Sequence, residues 1–367
     1  RLELRDVSML QHGDTVMAAG ALDADVALLP LLRGKAAVSS AELRNGFYRM
    51  GTPDSAMCLT LRADLADIAP AEVALASMSI NVEDATLNGC RVDLLMNPDT
   101  AATAPAAAAD TSDMAINLRR VRLTDLTYCM RMLPTIDSLG AHIAEATLLD
   151  GHIGMREQII SLRSLAGSGL AAAYIAPDSA TIAQTPVAPD TPSSSKPWTV
   201  AIDSIGFEGS RGLYTTRGLT PQPGLDFGYI EVDSMSLHIS DFYNQATTVC
   251  VPLRVSGKER CGVSLAAAGT LRVDSTSLRL DTFALSTPHT ALDFNYMMGM
   301  GDITTDASLP IAVQAKGRIG TPDMRLMFPA FIPYLAGLPD AGIALDADAG
   351  GTMGKIDIRR LDAAMNG

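Results

Sequence analysis

The sequence predicts an all-β fold: an elongated repeat of antiparallel hairpins with one or two short helices. Three observations carry this. Apolar residues alternate with period 2 in short runs, the mark of half-buried strands. Long helical periodicity is nearly absent. A hairpin-like segment recurs along the chain, and recurrence points to an elongated stack.

The elements follow in order. Leu28 to Arg33, ended by Gly34, is a short helical candidate. Ser40 to Met50 (SAELRNGFYRM) reads as strand, Asn45-Gly46 turn, strand, because both positions of a tight hairpin turn need φ > 0. Glu145 to Met155 matches it without gaps, with Asp150-Gly151 at the turn. A third copy, Asp84 to Val92, is one residue shorter, and Asp233 to Phe242 is a degenerate fourth. Ile116, Leu118, Val121 and Leu123, then Leu126, Tyr128, Met130 and Met132, alternate as strands do. So do Met235, Leu237 and Ile239, then Leu271, Val273, Leu278 and Leu280. Ser256-Gly257-Lys258-Glu259 reads as a turn that would set Cys250 opposite Leu265, which disfavours a disulfide between Cys250 and Cys261. Phe328 to Ala336, ended by Gly337, is the second helical candidate.

Two stretches lose periodicity and are rich in Ala, Thr, Ser and Pro. They are expected to be exposed linkers over residues 97–113 and 176–197. The remainder divides into repeat units at 1–96, 114–175, 198–303 and 304–367.

Composition narrows function. The chain has 28 Lys+Arg against 41 Asp+Glu, a net charge of −13 with no basic stripe, so a nucleic-acid partner is not expected. It is 47% hydrophobic, too apolar for disorder. Aromatics are only 5%, while Met reaches 18, so the apolar material is aliphatic and thioether. No run is long enough to span a bilayer. Residue 1 already lies in a strand-like pattern, so the chain reads as a segment of a longer protein. The 5 Cys have no CxxC spacing and read as buried apolar thiols.

No catalytic constellation stands out, and no enzyme activity, cofactor or metal is expected. His12, His142, His152, His238 and His289 are scattered without HxxxH spacing. Gly167-Ser168-Gly169 is not a nucleophile motif, and Asp346 to Gly351 departs from a calcium loop at its later ligand positions. What remains is an aliphatic stripe. Its candidates are Tyr48, Met50, Cys90, Val92, Leu94, Ile153, Met155, Met235, Leu237 and Ile239. Such a stripe is either core or the lining of a trough for hydrocarbon. Branched and thioether side chains adapt to acyl chains, and each methylene removed from water contributes about 0.8 kcal/mol.

Several short motifs, in order, resemble one family. The opening runs Leu2 to Val7, Asp14 to Val16, Leu22 to Val26, then Leu29-Pro30-Leu31-Leu32-Arg33-Gly34. The hairpin at 41–46 follows, then Pro197-Trp198-Thr199-Val200, Phe227 to Ile230 and Cys261 to Leu265. Gly317 to Asp323 (GRIGTPD), followed by Phe328-Pro329-Ala330-Phe331, closes the series. This order resembles the TamB/AsmA-like family of Gram-negative envelope proteins, in its Bacteroidetes form, kin to bridge-like lipid-transfer proteins. The resemblance implies a curved, groove-like sheet with an aliphatic concave face, open on one side. It implies that the chain holds or conducts phospholipid acyl chains for outer-membrane biogenesis. A periplasmic location is implied, with inner-membrane anchoring through a segment not in this chain. An outer-membrane barrel assembly protein is the implied partner, through parts absent here. Two other readings stay open: a structural β-repeat scaffold that contacts envelope partners by its sheet edge, and a surface β-solenoid adhesin.

Overall fold

A computed structural model of the chain describes residues 1–11, 13–27, 30, 35–52, 57–74, 78–97, 114–133, 137–177, 198–245, 248–300, 306–335, 337 and 339–366. Residues 98–113 and 178–197 of the two expected linkers, and most of the expected helix at Leu28 to Arg33, lie outside these residues. The strands are long. They are β1 (Leu2–Gln11), β2 (Asp14–Ala27), β3 (Lys35–Met50), β4 (Met57–Ile68), β5 (Ala71–Ala74), β6 (Ser79–Val82), β7 (Ala85–Met96), β8 (Ala115–Met132), β9 (Asp137–Gly154) and β10 (Ile159–Ala176). Then come β11 (Thr199–Thr216), β12 (Tyr229–Gln245), β13 (Thr248–Glu259), β14 (Ser264–Val273), β15 (Ser277–Ser286), β16 (Ala291–Gly299) and β17 (Pro310–Gly320). Helix α1 (Thr321–Met327), a 3-10 turn (Pro329–Phe331) and helix α2 (Ile332–Leu335) precede β18 (Gly342–Thr352) and β19 (Lys355–Asn366). The all-β class expected from the period-2 pattern is thus observed, and α1 is a helix that the sequence reading missed.

The chain divides into two compact units, Arg1–Thr199 with Tyr214–Gly218, and Val200–Leu213 with Leu219–Gly367. In the first, β1 pairs with β2, β2 with β3, β8 with β9 and β9 with β10, all antiparallel. Six strands close a circuit of ladders. β3 pairs with β4, β4 with β7, β7 with β8, β8 with β6, β6 with β5, and β5 returns to β3. β4 and β5 follow one edge of β3, and β6 and β7 follow one edge of β8. Between them Ala69 donates to the Asp84 carbonyl at 2.9 Å and Glu83 to the Pro70 carbonyl at 3.0 Å.

This pairing corrects the expected architecture. A groove open along one side needs a single run of hairpins, and here the pairing closes into a six-strand ring flanked by β1, β2, β9 and β10. The junction at β8 also departs from the all-hairpin expectation, since β8 lies parallel to β6 and β7. Parallel neighbours cannot be joined by a tight hairpin, so β7 and β8 do not form one. With the groove goes the resemblance that implied it: the TamB/AsmA-like assignment is not upheld by this topology.

The four repeats are also not hairpins. Asn45, Asp150, Gly89 and Asp241 each take φ > 0 in mid-strand (52°, 47°, 61° and 50°), inside β3, β9, β7 and β12. One φ > 0 residue shifts the side-chain alternation by one position without reversing the chain. At β3 a Cβ on Gly46 would lie 2.9 Å from Leu43 Cδ2, so positions 43 and 46 share a face. Asn-Gly and Asp-Gly satisfy this step for the same reason that they satisfy a hairpin turn, and the local sequence does not separate the two.

Apolar burial in the first unit centres on Val82, Ala85 and Val121, packed by Ile68, Ile80, Leu118, Leu123 and Leu148. Burying one such branched side chain contributes about 1.5–3 kcal/mol. In the second unit β12 to β19 form an antiparallel meander, each strand paired with the next. β13 runs straight through Ser256 to Glu259, so the expected turn there is corrected. Lys258 pairs with Ser264, and Cys250 lies opposite Arg272 and Tyr243 rather than Leu265. All 5 cysteines are free thiols, with Cys58 and Cys90 buried.

Candidate interaction surface

The register places the sequence candidates in cross-strand rows. Tyr48 faces Met17 and Leu61, Leu61 faces Val92, and Val92 faces Tyr128. The next row runs Met50, Leu59, Leu94, Met130. Cys90 lies between Ala63 and Leu126, and burial pushes its thiol up. Ile153 faces Ile116 and Ile160. Met155 falls in the turn after β9, its N–H donating to the Met114 carbonyl at 3.0 Å. In the second unit Leu237 faces Val255 and Ile239 faces Leu253, while Met235 sits at a register shift. Tyr48 and Met50 are exposed, Cys90 is buried, and the other seven are half-buried.

None of these ten residues lines any of the five cavities of 360–620 Å³ on the described surface. Their walls mix charged and polar side chains with small aliphatic ones such as Ala24, Ala146 and Ala268. The 620 Å³ cavity is lined by Glu83, Asp84, Arg119, Arg120, Asp150 and Arg163 among others. Its charges pair with one another: Arg119 with Glu83 at 2.8 Å, Arg120 with Asp84, and Arg163 with Asp150 at 2.9 Å. Among the described residues no group of three or more His, Cys, Asp or Glu side chains could hold a metal. His152 Nδ1 lies 2.7 Å from Asn117 Oδ1, and His142 Nδ1 lies 3.6 Å from Asp125. Among the described residues no helix is long and apolar enough to cross a membrane.

The sequence reading held open a role for a sheet edge but did not identify which strands form one. Among the described residues β1 is laddered only with β2, and β19 only with β18. Every residue of β1 is exposed. Leu10 is 60% exposed, Ile358 65% and Leu361 60%, high values for large aliphatic side chains. Apolar and charged residues alternate on both strands. On β1 Leu2, Leu4, Val7 and Met9 are interspersed with Glu3, Arg5 and Ser8. On β19 Ile356, Ile358, Leu361 and Met365 are interspersed with Asp357, Arg360 and Asp362. Arg5 donates to both Asp23 carboxylate oxygens at 2.9 and 3.1 Å, which holds the Asp23 carboxyl below the usual carboxylate range. Arg360 pairs with Asp346 at 2.7 Å and Arg359 donates to Asp348 at 2.8 Å. The signal was legible as charged alternation, but being at an edge is a property of topology.

A second cluster is structural. Asp323 is 2% exposed and its Oδ2 accepts from Thr287 Oγ1, from the His289 N–H at 3.0 Å and from Thr290 Oγ1 at 2.8 Å. Thr321 Oγ1 donates to the Pro339 carbonyl at 2.9 Å and accepts from the Ala341 N–H at 3.1 Å. The GRIGTPD stretch thereby ties the end of β17 to the β15–β16 turn and to the entry of β18.

No family model, curated protein or solved structure matches the chain.

Proposed function

We propose that this chain is a non-catalytic β-scaffold that binds partner chains along its sheet edges. The observation that carries this is the pair of strands β1 and β19, each hydrogen-bonded on one side and each presenting exposed aliphatic side chains. Soluble β proteins blunt such edges with charge, bulges or covering loops, because an open ladder templates the addition of another strand. Main-chain hydrogen bonds supply affinity in such additions, and alternate side chains supply specificity. The antiparallel meander favours this reading over a β-solenoid, whose stacked coils require parallel neighbours throughout.

Photo-crosslinking residues tested at Leu10 and Ile358, with Val92 and Leu94 as face positions, separate the readings. The edge positions are expected to join another protein through an extended segment identified by mass spectrometry. Lipid adducts, or adducts within the chain only, at both edge positions would overturn the proposal.

A further inference from the structure

Four arginines from four adjacent strands meet on one face of the first unit. Phe47, Arg62, Arg91, Thr127 and His142 form a cross-strand row over β3, β4, β7, β8 and β9. The next row runs Arg49, Thr60, Asp93 and Cys129, and Arg131 follows Cys129 two positions along β8. Side-chain contacts confirm the shared face. The Arg49 and Arg62 guanidinium groups lie 5.6 and 5.7 Å from the Phe47 ring centre. Arg91 donates to both Asp93 carboxylate oxygens at 2.8 and 2.9 Å. Those bonds, with the charges of Arg131 and Arg62 nearby, hold the Asp93 carboxyl below the usual carboxylate range.

The patch has more cations than it uses. Arg62, Arg91 and Arg131 are exposed. Arg91 pairs with Asp93, whereas Arg49, Arg62 and Arg131 make no ion pair among the described residues. Arg62 lies directly opposite Arg91, and like charges so placed destabilise a ladder. This stands out in a chain of net charge −13. No run of the sequence reveals it, because each arginine sits on a different strand.

We infer that this face binds an acidic segment of a partner protein, whose side-chain carboxylates pair with Arg49, Arg62 and Arg131. All four strands are paired on both sides, so the contact is made by side chains on the sheet face and not by an open ladder edge. The Arg91–Asp93 pair shows the contact mode, a guanidinium fork on a carboxylate. Two features favour separate carboxylates over a phosphate backbone. The arginines span three ladder spacings, about 14 Å, which is room for only a few charges. Asp93 lies within the patch, and Asp64, two positions from Arg62, and Asp125, 3.6 Å from His142, border it. An unbroken row of phosphates would meet these carboxylates, whereas single Asp or Glu side chains can sit on the arginines alone.

The test is fluorescence anisotropy of a labelled peptide of alternating Glu and Ser, titrated with the whole chain. Binding is expected below about 1 mM and should weaken as salt rises, because exposed charges are screened. Arg62→Gln combined with Arg131→Gln is expected to weaken it at least about tenfold. Asp93→Asn should tighten it, because Arg91 is released and a competing carboxylate is lost. Arg119→Gln combined with Arg163→Gln removes the same charge outside the patch and should leave binding unchanged. Circular dichroism checks folding, and the two single Arg→Gln variants replace the double variant where it does not fold. Absence of binding at about 1 mM overturns the inference, as does binding that the Arg62 and Arg131 changes leave intact. Equal affinity for the matching Gln and Ser peptide also overturns it. So does tighter binding of a deoxythymidine oligomer of the same charge, which would assign the face to nucleic acid.

Discussion

Asp323 carries three hydrogen bonds on one buried carboxylate oxygen, and its partners lie 33 to 36 residues away in the sequence. The GRIGTPD stretch stood out in the sequence, yet nothing local named Thr287, His289 or Thr290 as its partners. Loss of the carboxylate leaves buried donors without an acceptor, and that desolvation weighs more than the net gain of one bond. Asp323→Ala is therefore expected to lower unfolding free energy by about 3 kcal/mol in urea titration. Asp323→Asn keeps an acceptor oxygen and should lose less. A loss for Asp323→Ala within about 0.5 kcal/mol would contradict the hub. Glu259 was equally invisible: it is 2% exposed, takes the Cys261 N–H at 2.5 Å on one oxygen, and leaves the other without a partner among the described residues.

At the scale of elements, period-2 alternation with a single slip is the recurring device. Long strands, up to 18 residues, keep their aliphatic side chains on one face because a φ > 0 residue resets the phase. Alternation was legible residue by residue, so the all-β class and the members of the apolar rows could be read directly. Strand continuity through Asn45-Gly46 and Asp150-Gly151 could not, because a φ > 0 step inside a strand and a hairpin turn share one backbone requirement. Gly89 tests the device. Its φ is 61°, and a Cβ there would lie 2.2 Å from Asp64 Oδ2. Gly89→Ala should cost more than about 1 kcal/mol of stability by chemical denaturation. Gly140→Ala, in β9 with nothing within 4 Å of its added Cβ, should be neutral or slightly stabilising. Equal effects at the two positions would show that φ > 0 at Gly89 carries no strain.

At the scale of the whole molecule, the charge is −13, and the ion pairs named above lie on exposed or part-exposed side chains. Exposed pairs contribute little and are screened by salt, whereas self-repulsion of a net charge opposes folding and is screened as well. Raising salt to about 0.5 M is expected to leave unfolding free energy level or raise it by up to about 1 kcal/mol. A marked fall in the same titration would show that ion pairs hold the sheets together. The sequence by itself determined the strand-forming alternation, the aliphatic character of one face and the overall acidity, because each depends only on the order of side chains along one strand. Tertiary structure alone decided the closed ring of pairings, the parallel placement of β8 and the choice of which strands end as edges. Those depend on hydrogen bonds between segments far apart in the chain, and a strand's own residues do not specify its neighbour.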